Sequence, residues 1–296
     1  MRTALSQLAV ARPRDLAHAL RLMSGAARGA RPIPIAGGTD LFVYLNAGTP
    51  PSGRVYLDLW GLDELRGVRA DRRGLTVGAL TTFSELREHA LVRRRFPALA
   101  AAAAEIGARQ IQNRATLGGN IANASPAGDS LPPLMALGAV VHTRSARGSR
   151  EIPFAGFFRG YRDLEMAPDE LITEIRIPFP PAGTRQFFRK VGTRRAQSIS
   201  KVVCAGLLRL DRRGAVDVVH LAYGSVAPVT LRARGAELAL LGHRPTPAAV
   251  AEARAALCED ISPIDDIRSD REYRLAVAGN LLEQFLRAVA ARSARV

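Results

Sequence analysis

The chain predicts an α+β fold in two parts, on three observations. Apolar, partly β-branched runs of strand length are interleaved with helical patterns over the first 178 residues. A Pro-rich break, "IPFPPAG", follows at 177–183. Beyond it, three strand-like runs precede two helices instead of alternating with them, which argues for a three-stranded sheet with its helices segregated on one side. The expected division is 1–178, with subdomains of about 1–55 and 56–178, then 185–296. A length of 296 residues commonly yields two domains.

Each element has a local reason. A helix is expected from Pro13 to about Gly25, with Pro in the first turn and Leu16, Ala19, Leu20 and Met23 at helical spacing. "RPIPIAGG" reads as a short strand ending in a glycine turn, and "RVYLDLWG" and "GLTVGALTTF" as further strands. Thr82 or Ser84 is a plausible cap for the helical stretch "FSELREHALVRRRFPALAAAAAEIGA", whose alanine run at 98–104 suits close packing. "AVVHTRS" and "LITEIRIPF" complete the first part as strands. The second part has strands "FFRKV", "VVCAGLLRLD" and "VDVVHLAYGSV", then helices "TPAAVAEARAALCED" and "SDREYRLAVAGNLLEQFLRAVAAR". In the last helix Leu275, Ala278, Leu282, Phe285 and Val289 form one apolar face.

Composition removes several function classes. Cys204 and Cys258 are the only cysteines and belong to no CxxC pair, so the chain carries neither a disulfide framework nor an iron–sulfur cluster of its own. Five scattered histidines lack HxxxH or HExxH spacing, and no GxSxG elbow or GxxxxGK[ST] loop occurs. No catalytic side chain and no metal ligand is assigned. No apolar run approaches the roughly 18 residues of a membrane helix, and the N-terminus lacks a signal-peptide core; the expectation is a soluble cytoplasmic protein. The net charge of +15 raises nucleic acid as a partner. However, the cations are spread along the whole chain, and only five Tyr and one Trp are available for stacking. Lys190 and Lys201 are the only lysines among 42 cations. Where arginine serves almost everywhere, a retained lysine marks a place that wants a compact ammonium.

Two segments share a design: "PIAGGTDLFVYLN" at 34–46 and "ATLGGNIANASPAGD" at 115–129. Paired glycines after a strand reach positive φ and let the main chain approach a ligand, with successive N–H groups converging on an anion. A ligand with two phosphates suits two such turns. The GxGxxG dinucleotide fingerprint does not fit either spacing, and Ala122, Ala124, Ser125 and Ala127 leave room for something bulky.

"PIAGGTDL", "RQIQNRATLGGNIANASPAGD" and "KVGTRRAQSISKV" resemble the signatures of the FAD-binding medium subunit of the molybdenum hydroxylases, a family that includes xanthine dehydrogenase, aldehyde oxidase and aerobic carbon monoxide dehydrogenase. "YGSVAPVTLRARGAELALLG" and "DIRSDREYR" extend the resemblance over nearly the whole chain. It implies a vanillyl-alcohol-oxidase-type (PCMH-like) FAD-binding domain in two subdomains, followed by a small βββαα domain. It also implies site residues. Pro34, Ile35, Ala36, Gly37, Gly38, Thr39, Asp40 and Leu41 would wrap the pyrophosphate through main-chain N–H groups, with a hydroxyl from Thr39. Thr116, Gly118, Gly119 and Asn120 would form a second phosphate-facing turn, and Ile106 would touch the cofactor. Asp129 would hold a ribose hydroxyl, Leu171 or Ile172 would be an apolar wall, and Lys190 would reach the cofactor from the second domain. An ammonium there would favour a reduced, anionic flavin.

In such a family the substrate reacts at molybdopterin in a large subunit, and electrons pass through [2Fe–2S] clusters of a small subunit to the flavin and on to NAD or another acceptor. The resemblance makes this chain the electron outlet of a heterotrimeric complex, most closely of xanthine dehydrogenase type, with aldehydes and carbon monoxide open as substrates. A self-sufficient flavin reductase of the same fold is the competing reading; it needs a Ser or Glu proton donor that no fitting motif supplies.

Overall fold

The computed structural model describes residues 8–25, 31–47 and 55–293, with side chains to residue 288. β1 (Ala9–Ala11) leads into α1 (Leu16–Ser24), β2 (Ile33–Ile35), α2 (Leu41–Asn46) and β3 (Val55–Asp58). The three strands form a parallel sheet with β3 in the centre. The Asp15 carboxylate accepts the His18 N–H at 2.6 Å, so α1 starts after Asp15 and not at Pro13. Leu16, Ala19, Leu20 and Met23 are buried with Leu57, Leu59 and Leu80. The division expected near residue 55 falls beside residues 48–54, which lie outside the described residues; β3 begins immediately after it.

β4 (Val68–Ala70) and β5 (Gly74–Gly78) are followed by six helices: α3 (Phe83–Glu88), α4 (Ala90–Arg95), α5 (Pro97–Glu105), α6 (Arg109–Gln112), α7 (Leu117–Asn123) and α8 (Leu131–Ala136). Thr82, not Ser84, caps α3, in a reciprocal box with Glu85. β6 (Val140–Ser145), β7 (Gly148–Pro153), the short ribbon β8 (Phe158–Gly160) and β9 (Asp163–Leu164), and β10 (Leu171–Pro178) complete the first part. Its antiparallel sheet has the order β4-β5-β10-β6-β7. Phe83, Leu99 and Leu134 from the helices, with Phe96 between α4 and α5, bury against Leu75, Val77, Val141 and Ile175 of the sheet. In α5 the small side chains of Ala98, Ala102 and Ala103 are buried where the helix approaches α3 and the next sheet.

That sheet comprises β11 (Arg185–Gly192), β12 (Ser200–Leu210), β13 (Val216–Gly224) and β14 (Leu231–Arg232), all antiparallel. α9 (Arg234–Leu240), α10 (Pro247–Asp260) and α11 (Arg271–Ser293) follow. The sheet therefore has four strands and not three, and α9 is an additional helix; a two-residue strand and a seven-residue helix are too short to show a period. Cys204, Leu208, Leu221 and Tyr223 pack with the helices that follow, whereas Ala205, Leu207 and Ala222 join the core of the first part. This is strand alternation with both faces covered. Gly206 faces Phe285, whose ring would lie 2.7 Å from an added Cβ. Leu275, Ala278, Leu282 and Phe285 pack on this sheet, and Val289 lies outside the described side chains. Among the described residues no helix is long and apolar enough to cross a membrane.

Candidate functional site

The two glycine segments lie against each other. Gly37 follows β2 and faces the main chain of the second segment so closely that a Cβ there would sit 1.7 Å from the Arg114 carbonyl oxygen. Gly38 adopts a φ of 74°, in the left-handed region that favours glycine. The Phe42 N–H then donates to the Gly38 carbonyl at 2.9 Å, turning the chain into α2. Among the described residues, no protein acceptor takes the main-chain N–H groups of Gly37, Gly38, Thr39 and Asp40. Four consecutive donors thus remain available in one bend.

The second segment is built differently. It is the start of α7, with Thr116 as cap accepting the Gly119 N–H at 3.1 Å. The Leu117 and Gly118 N–H groups donate to Thr81 and Ala79, and Asn120 donates to the Thr116 carbonyl. Gly118 lacks a Cβ because Ala79 occupies that space, 2.6 Å from where one would stand. The expected second turn is therefore a helix start whose amides are already donated, and what it offers a ligand is its surface and the side chains of Thr116 and Asn120.

Both segments line one cavity of about 500 Å³, a volume in the ordinary range for small-molecule sites. Pro34 to Leu41, Ile106, Thr116, Gly118, Gly119, Asn120, Leu171 and Ile172 all line it. Sequence reasoning missed Leu65, Leu80, Met166 and Glu170, which also line it, and gave no role to Tyr44, which lines it from the end of the first glycine segment. Glu170 sits next to Leu171, and its buried carboxylate accepts the Ala167 N–H and pairs with Arg150 at 3.2 Å. Burial raises the Asp40 carboxyl above its usual range, and the Arg162 guanidinium partly offsets this.

The description "FAD binding domain in molybdopterin dehydrogenase" fits residues 6–180, and "CO dehydrogenase flavoprotein C-terminal domain" fits 187–289. The chain is 33% identical over 270 residues to the xanthine dehydrogenase FAD-binding subunit of Escherichia coli O157:H7, covering 88% of this chain and 90% of that one. It is 34% identical over 241 residues to the carbon monoxide dehydrogenase medium chain of Hydrogenophaga pseudoflava, covering 80% and 82%. The solved carbon monoxide dehydrogenase of the same organism, in a form lacking the Mo-pyranopterin moiety, superimposes with a TM-score of 0.90 at 31% identity, over 96% of this chain and 98% of that one. The chain belongs to the FAD-binding subunits of the molybdenum hydroxylases.

The donor set of this flavin subunit fits FAD: four free main-chain amides in one bend suit a diphosphate, and apolar walls at Ile106, Leu171 and Ile172 suit a ring system. Asp129 and Lys190 lie outside the cavity lining and are paired with each other. The Lys190 Nζ stands 2.6 Å from the Asp129 carboxylate and also donates to the Glu105 carbonyl at 3.2 Å. Both side chains are under 10% exposed. Burial pushes the Asp129 carboxyl up to about 6, against the pull of the Lys190 ammonium and its hydrogen bond. Among the described residues, Asp129 Oδ1 is buried without a hydrogen bond that meets ordinary geometry. The neighbouring Ser130 hydroxyl donates to Asn120 on the cavity wall at 2.7 Å, so the pair stands one residue behind that wall. Phe187 packs on Phe285 at 5.5 Å, and Phe188 joins the core of the first part.

Proposed function

We propose that this flavin subunit is the electron outlet of a xanthine dehydrogenase-type complex, with a large molybdopterin subunit and a small [2Fe–2S] subunit as partners and NAD as acceptor, working in the cytoplasm. The observation that carries the FAD site is the convergence of both glycine segments on one cavity, one of them with four free amides. Bound FAD would supply the step between one-electron carriers and a two-electron acceptor. Gly37 to Asp40 hold the diphosphate through their N–H groups, with the Thr39 hydroxyl beside them. Thr116, Gly118, Gly119 and Asn120 form the opposite wall, and Ile106, Leu171 and Ile172 exclude water. Asp129 and Lys190 hold each other one residue behind the Asn120 wall and fix it from the back, so the ribose contact expected of Asp129 and the cofactor contact expected of Lys190 are not part of this reading. The proposed division at 1–178 and 185–296 is supported by the change of sheet between β10 and β11.

The xanthine reading is supported by 33% identity over 88% of the chain. A carbon monoxide reading is favoured by the TM-score of 0.90 to that dehydrogenase. Purification through a tag on this chain, followed by assays with xanthine, an aldehyde and carbon monoxide, decides between them. Xanthine-dependent NAD reduction is expected; carbon monoxide oxidation with inactivity on xanthine overturns the assignment. A colourless, folded chain that rejects added FAD overturns the site.

A further inference from the structure

A second groove, of about 990 Å³, runs along the connection between the two parts of the fold. Its apolar surface comes from Pro97, Phe187 and Phe188, and three guanidinium groups, Arg94, Arg95 and Arg185, line it. None of the described lining residues is acidic. Some surface arginines find carboxylates, as in Arg147 with Asp169 and Arg209 with Asp217. Among the described residues these three find none; Arg95 stacks on Phe179 at 4.3 Å instead. The wall is fixed from both sides, since Gln186 donates to the Arg95 carbonyl at 2.7 Å and accepts the Ala98 N–H.

We propose that this groove takes an extended acidic segment of a partner subunit. The donors are planar forks that match carboxylates two bonds at a time. Pro180 and Pro181 have no N–H to offer, so a main-chain anion nest is missing from that part of the wall. The groove is about twice the volume of the flavin cavity, which suits a chain segment better than a single anion. A second copy of this chain, itself at +15, would bring like charge to the rim. The inference rests on the multi-subunit reading above.

The test uses the complex purified through a tag on this chain. A photo-crosslinking residue replaces Ala182 on the groove wall, and the irradiated product is sequenced by mass spectrometry. The expected crosslink is to an Asp- and Glu-rich segment of a co-purifying subunit. The double variant R94E/R185E is expected to lose that subunit by about tenfold or more at moderate salt while keeping its FAD, and R94K/R185K, which keeps the charge but not the two-bond fork, to lose less of it than R94E/R185E. A crosslink only to a second copy of this chain, no crosslink in the assembled complex, or R94E/R185E assembling like wild type overturns the inference and leaves the subunit assignment standing. A wild-type chain that always purifies alone overturns both.

Discussion

Substituting Gly37 by Ala tests the contact that joins the two glycine segments. The added methyl carbon would lie 1.7 Å from the Arg114 oxygen and 2.5 Å from its carbonyl carbon. Non-bonded carbons rest at about 3.5 Å or more, so the segments must part by about 2 Å. The obstacle is main chain, held by the Ala115 N–H on Ile111 at 2.7 Å and the Phe83 N–H on Ala115 at 3.1 Å, and no rotamer change relieves it. Overpacking costs about 1–3 kcal/mol, and a backbone clash belongs at the upper end. If the apo chain relaxes by opening the bend, about 3 kcal/mol appears as FAD affinity weakened by about two orders of magnitude. If the fold resists, it appears as a melting point lower by about 6 °C. Quenching of flavin fluorescence on titration gives the first quantity, and thermal unfolding of the apo protein gives the second. Gly156→Ala is the control, because nothing stands within 4 Å of its Cβ. A Gly37→Ala chain matching wild type in both affinity and melting point would refute the reasoning.

Other consequences follow from buried contacts. Lys190→Met leaves the Asp129 carboxylate buried and unpaired and should cost about 3–5 kcal/mol; urea unfolding should show much of this recovered in Asp129→Asn/Lys190→Met. The Asp129 carboxyl is raised in the fold to about 6, so between roughly pH 4 and 6 the native state binds the proton that the unfolded chain has released. Its contribution is therefore full at the acid end and is lost as pH rises through that window; Asp129→Asn should flatten this part of a melting-point profile, and an unchanged slope contradicts it. Thr82→Ala removes the α3 cap and should cost about 1 kcal/mol by denaturant midpoint. Gly206→Ala drives a methyl into the Phe285 ring and should cost about 1–3 kcal/mol, eased by Phe285→Leu.

The long elements were legible because their periods were. β10, β12, β13 and α11 each run eight residues or more with apolar positions that repeat. The short ones were not: α2, α6, α7 and α8 have four to seven residues, and tertiary packing, not propensity, decides them. Both glycine segments line one cavity, but only part of the reason expected for their glycines holds. Gly38 takes the positive φ that a turn was expected to need, but Gly37 and Gly118 are small because other main chain and Ala79 press on them. No pattern in sequence reports such a contact between segments some eighty residues apart. Lys190 stood out as a rare lysine, and its partner Asp129 was named for a different role; only the folded chain brings the two together at 2.6 Å.

The most direct measurement is a crystal structure of the FAD-loaded subunit, read at the diphosphate. Its oxygens should lie within about 3.2 Å of main-chain nitrogens in the Gly37–Asp40 bend, with no comparable main-chain bonds from Leu117 to Asn120. A diphosphate bound outside the cavity, or held by side chains with the Gly37–Asp40 nitrogens facing away, would contradict the account.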